Sequence, residues 1–193
     1  MPTRNPFEEF GVWFEQARAN EPADFDAVAL ASATPDGRPS VRMVLMRNYD
    51  ERGFVFYTNL ESRKSHELRN NPYAAMCFHW KSTERQIRIE GMVEQVDEVE
   101  ADIYFDSRPR ESQIAAWASK QSEKLEGRAQ LERRVAKFVT RFGVGVIRRP
   151  DFWSGYRLTP DLFEFWDKRP DRLHERTLYT RGRDAWSEMK LFP

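Results

Sequence analysis

The chain has one cysteine and three histidines in 193 residues. A lone thiol, Cys77, excludes an intrachain disulfide and any cysteine-rich metal centre. Histidines scattered at positions 66, 79 and 174 offer no metal-ligand spacing, so no metal is expected. Net charge is missing as well, because 31 basic and 31 acidic residues cancel. No global field draws in nucleic acid or an anionic membrane, and neither is an expected partner; any anion site has to be a local cluster of cations. No apolar run approaches the ~20 residues needed to span a bilayer. The first residues, Met1-Pro-Thr-Arg-Asn-Pro-Phe-Glu-Glu-Phe10, lack the apolar centre of a signal peptide, so the default expectation is the cytoplasm. Internal repeats, low-complexity tracts and linkers are not seen. Lysine is scarce: 24 of the 31 cations are Arg. Arginine forks suit phosphate, but genomic base composition produces the same bias, and the count alone does not choose.

What is present is enough for one substantial domain over residues 1–193, with 40% hydrophobic and 13% aromatic residues. Phe7, Phe10, Trp13, Phe14 and Ala17 recur at helical spacing, predicting an amphipathic helix within 5–20. A first set of strands is expected over 27–96: strands at 27–33, 40–47 and 54–58, joined by turns at Pro35-Asp-Gly37 and Asp50-Glu-Arg-Gly53, then 73–80 and 85–96. Ser62 reads as the N-cap of a short helix running to Asn70. Cys77, in the apolar run Ala74–Phe78, reads as a buried strand residue. A helical segment, 97–141, divides into helices at 97–106, 111–119 and 123–141, and a loop covers 143–150. Strands resume over 152–191, at 152–158, 162–166, 176–180 and 185–191. The fold class is therefore α+β, with a mainly antiparallel sheet closing into a barrel and helices around it.

Three constellations could carry chemistry. Arg42, Arg47, Tyr57, Thr58, Arg63 and Lys64 combine cations, hydroxyls and the start of a helix, whose amides themselves attract anions. Arg42 and Arg47 stand an odd number apart and would face opposite sides of a regular strand. The same residues can equally be exposed strand and helix charges. The second stretch, Tyr104-Phe-Asp-Ser-Arg108-Pro-Arg-Glu-Ser112 and on to Gln121-Ser122, sets Arg, Tyr, Ser and Gln closely around a helix start, which suits a small phosphorylated ligand. Its plain alternative is a capped helix–loop–helix surface. The third is Arg172-Leu-His174; if this is strand, both side chains share one face. His66 and His79 read as a helix-surface and a strand-end residue.

The stretch from Tyr104 to Ser122, with Arg172-Leu-His174-Glu-Arg176, closely resembles signature segments of the pyridoxamine 5′-phosphate oxidases. Arg42-Met-Val-Leu-Met-Arg47, Phe56-Tyr-Thr-Asn59 and Ser62-Arg-Lys64 resemble that family's flavin mononucleotide (FMN) segments. The resemblance covers roughly residues 5–193 and implies an FMN-binding split barrel, homodimeric, with the flavin at the subunit interface. It implies that Arg42, Arg63 and Lys64 hold the flavin phosphate and ribityl region, and that Met43, Val44, Leu45, Arg47, Tyr57 and Thr58 line the same site. Gln86 would meet the polar edge of the isoalloxazine. Gln121 and Ser122 would come from the second subunit, with Trp166 and Arg176 completing the site. Tyr104, Arg108 and Ser112 would bind the phosphate of a pyridoxine-type substrate, with Arg47 a further contact. Arg172 and His174, beside the substrate ring, would be the catalytic pair. The implied reaction is oxidation of pyridoxamine or pyridoxine 5′-phosphate to pyridoxal 5′-phosphate, with O2 reduced to H2O2.

Two departures stand out. The family usually has Lys where this chain has Arg47, which keeps the cation but is bulkier and cannot lose its charge. The paired Arg and the Tyr of the family's N-terminal extension, which can cover the site, have no counterpart before Asn5-Pro-Phe7. Closure of a lid is not supported by these residues. The alternatives are a related flavin oxidase acting on another ring, as in the phenazine pathway, a non-catalytic FMN or pyridoxal phosphate carrier, and an unliganded interaction domain.

Overall fold

The computed structural model describes residues 5–193. The readings that involve Met1–Arg4, namely the opening of the domain and the first four residues of the amino-terminal stretch, lie outside the described residues. Helix α1 (Pro6–Asn20) starts where sequence chemistry places it. The Asn5 side chain accepts from the Phe7 N–H at 3.0 Å and Pro6 occupies the first turn. Phe7, Phe10, Phe14 and Ala17, on one face, are buried in the main core. Phe10 meets Phe54 edge-on at 4.8 Å and Phe7 meets Phe163 edge-on at 5.2 Å, so this helix supplies part of the barrel's aromatic filling.

The strands are β1 (Ala27–Ala33), β2 (Pro39–Asp50), β3 (Gly53–Asn59), β4 (Tyr73–Trp80), β5 (Arg85–Gln95), β6 (Trp153–Asp167), β7 (Glu175–Arg181) and β8 (Trp186–Leu191). They form one antiparallel sheet in the order β3-β2-β1-β4-β5-β6-β7-β8, and a further pairing of β3 with β6 closes the first six into a barrel. Helix α2 (Arg63–Asn70) links β3 to β4, while α3 (Glu98–Ser107), α4 (Arg110–Ala118) and α5 (Arg128–Phe142) lie between β5 and β6. The α+β split barrel expected from the sequence is the fold observed. Among the described residues, no helix is long and apolar enough to cross a membrane.

Three local expectations change. The two strands at 152–158 and 162–166 are one, β6, whose first part pairs with β3 and whose second part pairs with β7. Pro160 is accommodated at an irregularity opposite Glu90 and Gly91, which lets the strand continue past a residue with no N–H. Gly91 is required there, because a Cβ would stand 2.0 Å from the Thr159 carbonyl oxygen. The helix expected from 123 begins at Arg128 after an extended Gly127, since 123–127 has no apolar face to bury. Arg172 is not on a strand: Pro170–Arg172 is a 3-10 turn in which Asp171 and Arg172 have φ of 58° and 62°. The same-face argument for Arg172 and His174 therefore fails, since both lie in the turn between β6 and β7.

Candidate active site

A cleft of about 800 Å³ lies between β2, the end of β3 with the start of α2, and the α3–α4 segment with the loop that follows it. Arg42, Arg47, Arg63, Lys64 and Arg108 line it, and among the described residues no Asp or Glu does. One carboxylate acts from behind. Buried Glu67 accepts from Ser32 Oγ at 2.6 Å, Ser40 Oγ at 2.6 Å, Arg63 Nε at 2.8 Å and Arg42 Nη2 at 3.2 Å. Burial alone would raise its pKa, but these hydrogen bonds prevail and hold it at about 2. Glu67 thus fixes Arg42 and Arg63 as a permanent anion and cancels one of the three charges of Arg42, Arg63 and Lys64. The sequence signal for it was its i,i+4 spacing from Arg63.

Lys64 is 8% exposed. Its ammonium donates to Thr58 Oγ1 at 2.7 Å, Gln121 Oε1 at 2.9 Å and Ser62 Oγ at 3.0 Å. Desolvation, followed by the charge of Arg42, lowers its pKa to about 8. Ser62 is the positional N-cap of α2, but its hydroxyl serves Lys64 and Ser65 rather than the helix amides. The Arg63 N–H instead donates to Ser122 Oγ at 3.2 Å. The loop after α4 is pinned to the start of α2 in this way, which brings Gln121 and Ser122 into the cleft of their own chain.

The opposite wall is aromatic. Tyr57 and Tyr104 stack at 3.8 Å, and Trp153 lies parallel to both at 5.5 and 6.1 Å. Gly155 makes room for this, since a Cβ there would lie 2.8 Å from the Tyr57 ring. Burial, aided mainly by the charge of Glu100 and by Tyr104, pushes the Tyr57 hydroxyl up to about 12, so it stays protonated as a donor. The Arg108 guanidinium carbon lies 4.7 Å from the Trp153 ring centre. Its Nη1 is buried without a hydrogen-bond partner among the described residues, an unspent donor beside the cleft. Ser112 lines the cleft from the first turn of α4.

A second cluster lies outside the cleft. Gln86 pairs with Trp166 across β5 and β6, and Trp166 with Arg176 across β6 and β7. The Trp166 and His174 rings are 4.6 Å apart. Arg176 donates to buried Glu164 at 2.8 Å and to the Phe192 carbonyl at 3.0 Å. His174 Nδ1 accepts from the Arg169 N–H at 3.2 Å, which places the proton of the neutral imidazole on Nε2.

Comparison with known proteins decides the family. A match described as pyridoxamine 5′-phosphate oxidase covers residues 14–142. A second, described as the pyridoxine 5′-phosphate oxidase C-terminal dimerisation region, covers residues 153–193. The chain belongs to the pyridoxamine 5′-phosphate oxidase family. A pyridoxine/pyridoxamine 5′-phosphate oxidase of Rhodospirillum rubrum is 53% identical, the alignment spanning 100% of this chain and 98% of that one. The oxidase of the same name from Brucella canis is 52% identical over 97% of this chain and 94% of its own. Among solved structures, PhzG from Burkholderia lata, in complex with tetrahydrophenazine-1-carboxylic acid, superposes with a TM-score of 0.93 at 34% identity, covering 100% of this chain and 94% of that one. An FMN binding protein from Nostoc punctiforme, at a TM-score of 0.77 and 17% identity over 99% of this chain and 100% of its own, shares the fold.

Of the residues that the family resemblance singled out, the cleft brings together Arg42, Met43, Val44, Leu45, Arg47, Tyr57, Thr58, Arg63, Lys64, Tyr104, Arg108, Ser112, Gln121 and Ser122. Gln86, Trp166, Arg172, His174 and Arg176 do not line it. The resemblance assigns Gln121 and Ser122 to the second subunit. In this chain they hydrogen-bond to Lys64 and Arg63, and the residues outside the cleft are on β5, β6 and β7 and in the turn between β6 and β7. Arg42 and Arg47 both line the cleft despite their odd spacing, because the cleft takes residues from both faces of β2: Met43, Val44 and Leu45 between them line it as well. Glu67, Trp153 and Asp26, which bonds Arg47 at 2.9 Å, were not anticipated from the sequence.

Proposed function

We propose that this chain is an FMN-dependent oxidase that converts pyridoxamine or pyridoxine 5′-phosphate to pyridoxal 5′-phosphate, reducing O2 to H2O2, and that it works as a homodimer. The observation that carries the reading is a cleft with five cations and no lining carboxylate among the described residues. Arg42, Arg63 and Lys64, offset by Glu67 alone, leave two positive charges, which suits the phosphate monoester of FMN at near −2. The helix α2 N-terminus adds backbone donors. Arg108, Tyr104 and Ser112 form a separate set of donors in the same cleft, fitted to the phosphate of the substrate. When bound, FMN supplies the hydride acceptor and passes the electrons to O2. The chain's own part is to bind and orient. Thr58, Gln121 and Ser122 hold Lys64 and the α2 start in place, and Tyr57 keeps its proton.

The dimer supplies the rest of the site in this reading. Val41 and Met43 are 69% and 63% exposed on β2, beside Ala31 and Ala29 of β1. An apolar strip of this kind, continuous with the cleft wall, suits coverage by a second copy. The cleft would then close on Gln86, Trp166, Arg172, His174 and Arg176 of the partner subunit. With its Nδ1 engaged, His174 offers Nε2–H as a donor that orients the substrate.

Flavin-loaded protein given pyridoxamine 5′-phosphate in air is expected to form aldehyde in step with oxygen loss. Bound flavin with no oxygen uptake contradicts the oxidase reading and favours a carrier. The likeness to PhzG supports a second reading, oxidation of a carboxylated reduced tricyclic ring, which turnover of that class of compound alone would establish.

Lys64 gives a pH signature. A phosphate favours the charged ammonium, so FMN affinity is full below the ligand-free pKa of about 8 and falls as pH rises through it. Above that point Kd is expected to rise by up to about tenfold per pH unit, read by quenching of flavin fluorescence. A flat Kd across this range removes Lys64 from the phosphate site.

A further inference from the structure

Strand β2 carries its irregularity at Arg47, where pairing with β3 shifts between Met46 and Asn48. Asp26, in the turn before β1, holds both sides of that position. Its carbonyl oxygen accepts from the Met46 N–H at 2.9 Å, and its carboxylate Oδ2 accepts from Arg47 Nη1 at 2.9 Å. The Asp26 side chain is 17% exposed and that of Arg47 36%. Asp26 does not line the cleft, whereas Arg47 does, together with Arg108. The two guanidiniums feel each other. After burial, the charge of Arg47 also lowers the pKa of Arg108, against an opposing influence from Tyr104. An anion between them reverses this repulsion, and a guanidinium has donors to spare after one is committed to Asp26.

We propose that Asp26 is a positioning residue that sets the Arg47 guanidinium beside Arg108, so that two arginine forks grip one substrate phosphate. The proposal rests on the oxidase reading for its substrate but not for its geometry. It also gives a reason why Arg serves at this position in this chain: a planar fork can bond the carboxylate behind it and the phosphate in front, whereas an ammonium has no second, fixed direction.

The test is a cycle of Asp26→Asn, Arg47→Ala and the double variant, assayed with pyridoxamine 5′-phosphate and with unphosphorylated pyridoxamine. Asp26→Asn is expected to raise KM about fivefold for the phosphorylated substrate, the scale of one partly exposed ion pair, and to leave KM for pyridoxamine unchanged. In the Arg47→Ala background the same change should have no further effect. An unchanged KM for the phosphorylated substrate overturns the proposal. So does an equal rise for both substrates, or an undiminished effect without Arg47, since either marks a merely structural role. In a protein that turns nothing over, the Kd of pyridoxal 5′-phosphate for the flavin-loaded variants decides the same question. Failure of the oxidase reading is thereby kept apart from failure of this one.

Discussion

Arg108→Ala is expected to raise KM for pyridoxamine 5′-phosphate by about 10- to 100-fold, while flavin content stays at the wild-type level. The magnitude follows from losing hydrogen bonds to a charged group, worth about 1.5–3 kcal/mol. The selectivity follows from position. Arg108 lies at the α3–α4 end of the cleft against Trp153, whereas the flavin phosphate is assigned to Arg42, Arg63 and Lys64 near α2. Burial, the largest influence, lowers the Arg108 pKa, and its Nη1 has no protein partner among the described residues. A cation held in this unfavourable condition gains more from a phosphate than an exposed one does. Arg108→Lys should restore charge but not the fork and fall between the two. Equal loss of flavin and substrate binding, or an unchanged KM, contradicts the separation of the two phosphate sites.

Arg157→Met is expected to lower stability by about 3 kcal/mol, near the lower end for breaking a buried ion pair from one side. Arg157 is 4% exposed on β6 and joins three elements. Its Nη2 donates to both carboxylate oxygens of Glu100 on α3 at 2.9 Å, and its Nη1 donates to Asp50 at the end of β2 at 3.1 Å. Methionine matches much of the volume, so the loss is chiefly of charge pairing. In a chain of this size the fall in Tm is roughly 6–12 °C, read by thermal melting of the flavin-loaded protein. An unchanged Tm contradicts the role. Asp50 adds a pH component. Burial acts to raise its pKa, but hydrogen bonds from Arg52 and the charge of Arg157 leave it lowered. Its contribution is therefore present at neutral pH and is lost in acid, as pH falls through the lowered value.

Helix and strand periodicity made most of the fold legible. Phe7, Phe10 and Phe14 mark one face of α1, and alternation marks β5. One boundary was hidden because backbone irregularity has no period. Pro160 reads as a strand break, yet the strand passes it because Gly91 opposite has no Cβ. Arg47 reads as facing away from Arg42, and it does, yet both line the cleft because residues from both faces of β2 border it. The cations of the site were legible as residue types at short spacing. Their counter-charges were not. Neither Glu67 nor Asp26 carries a sequence pattern that singles it out, and only the fold shows each bonded to a cleft arginine. The separation of Gln86, Trp166, Arg172, His174 and Arg176 from the cleft is a property of three-dimensional placement that no linear pattern carries.

That separation is also where the account is most exposed. If each site joins the cleft of one chain to the β5–β7 cluster of the other, two damaged chains can complement. Arg108→Ala chains and His174→Ala chains should each show little activity with dilute substrate. In a mixed dimer one site would then carry both defects and the other neither. Oxygen uptake by the re-associated mixture should therefore rise well above the mean of the two parents, with the KM of the recovered activity equal to that of the wild type. Activity that stays at the parental mean after verified subunit exchange would show that each chain builds its site alone, and would contradict the composite site.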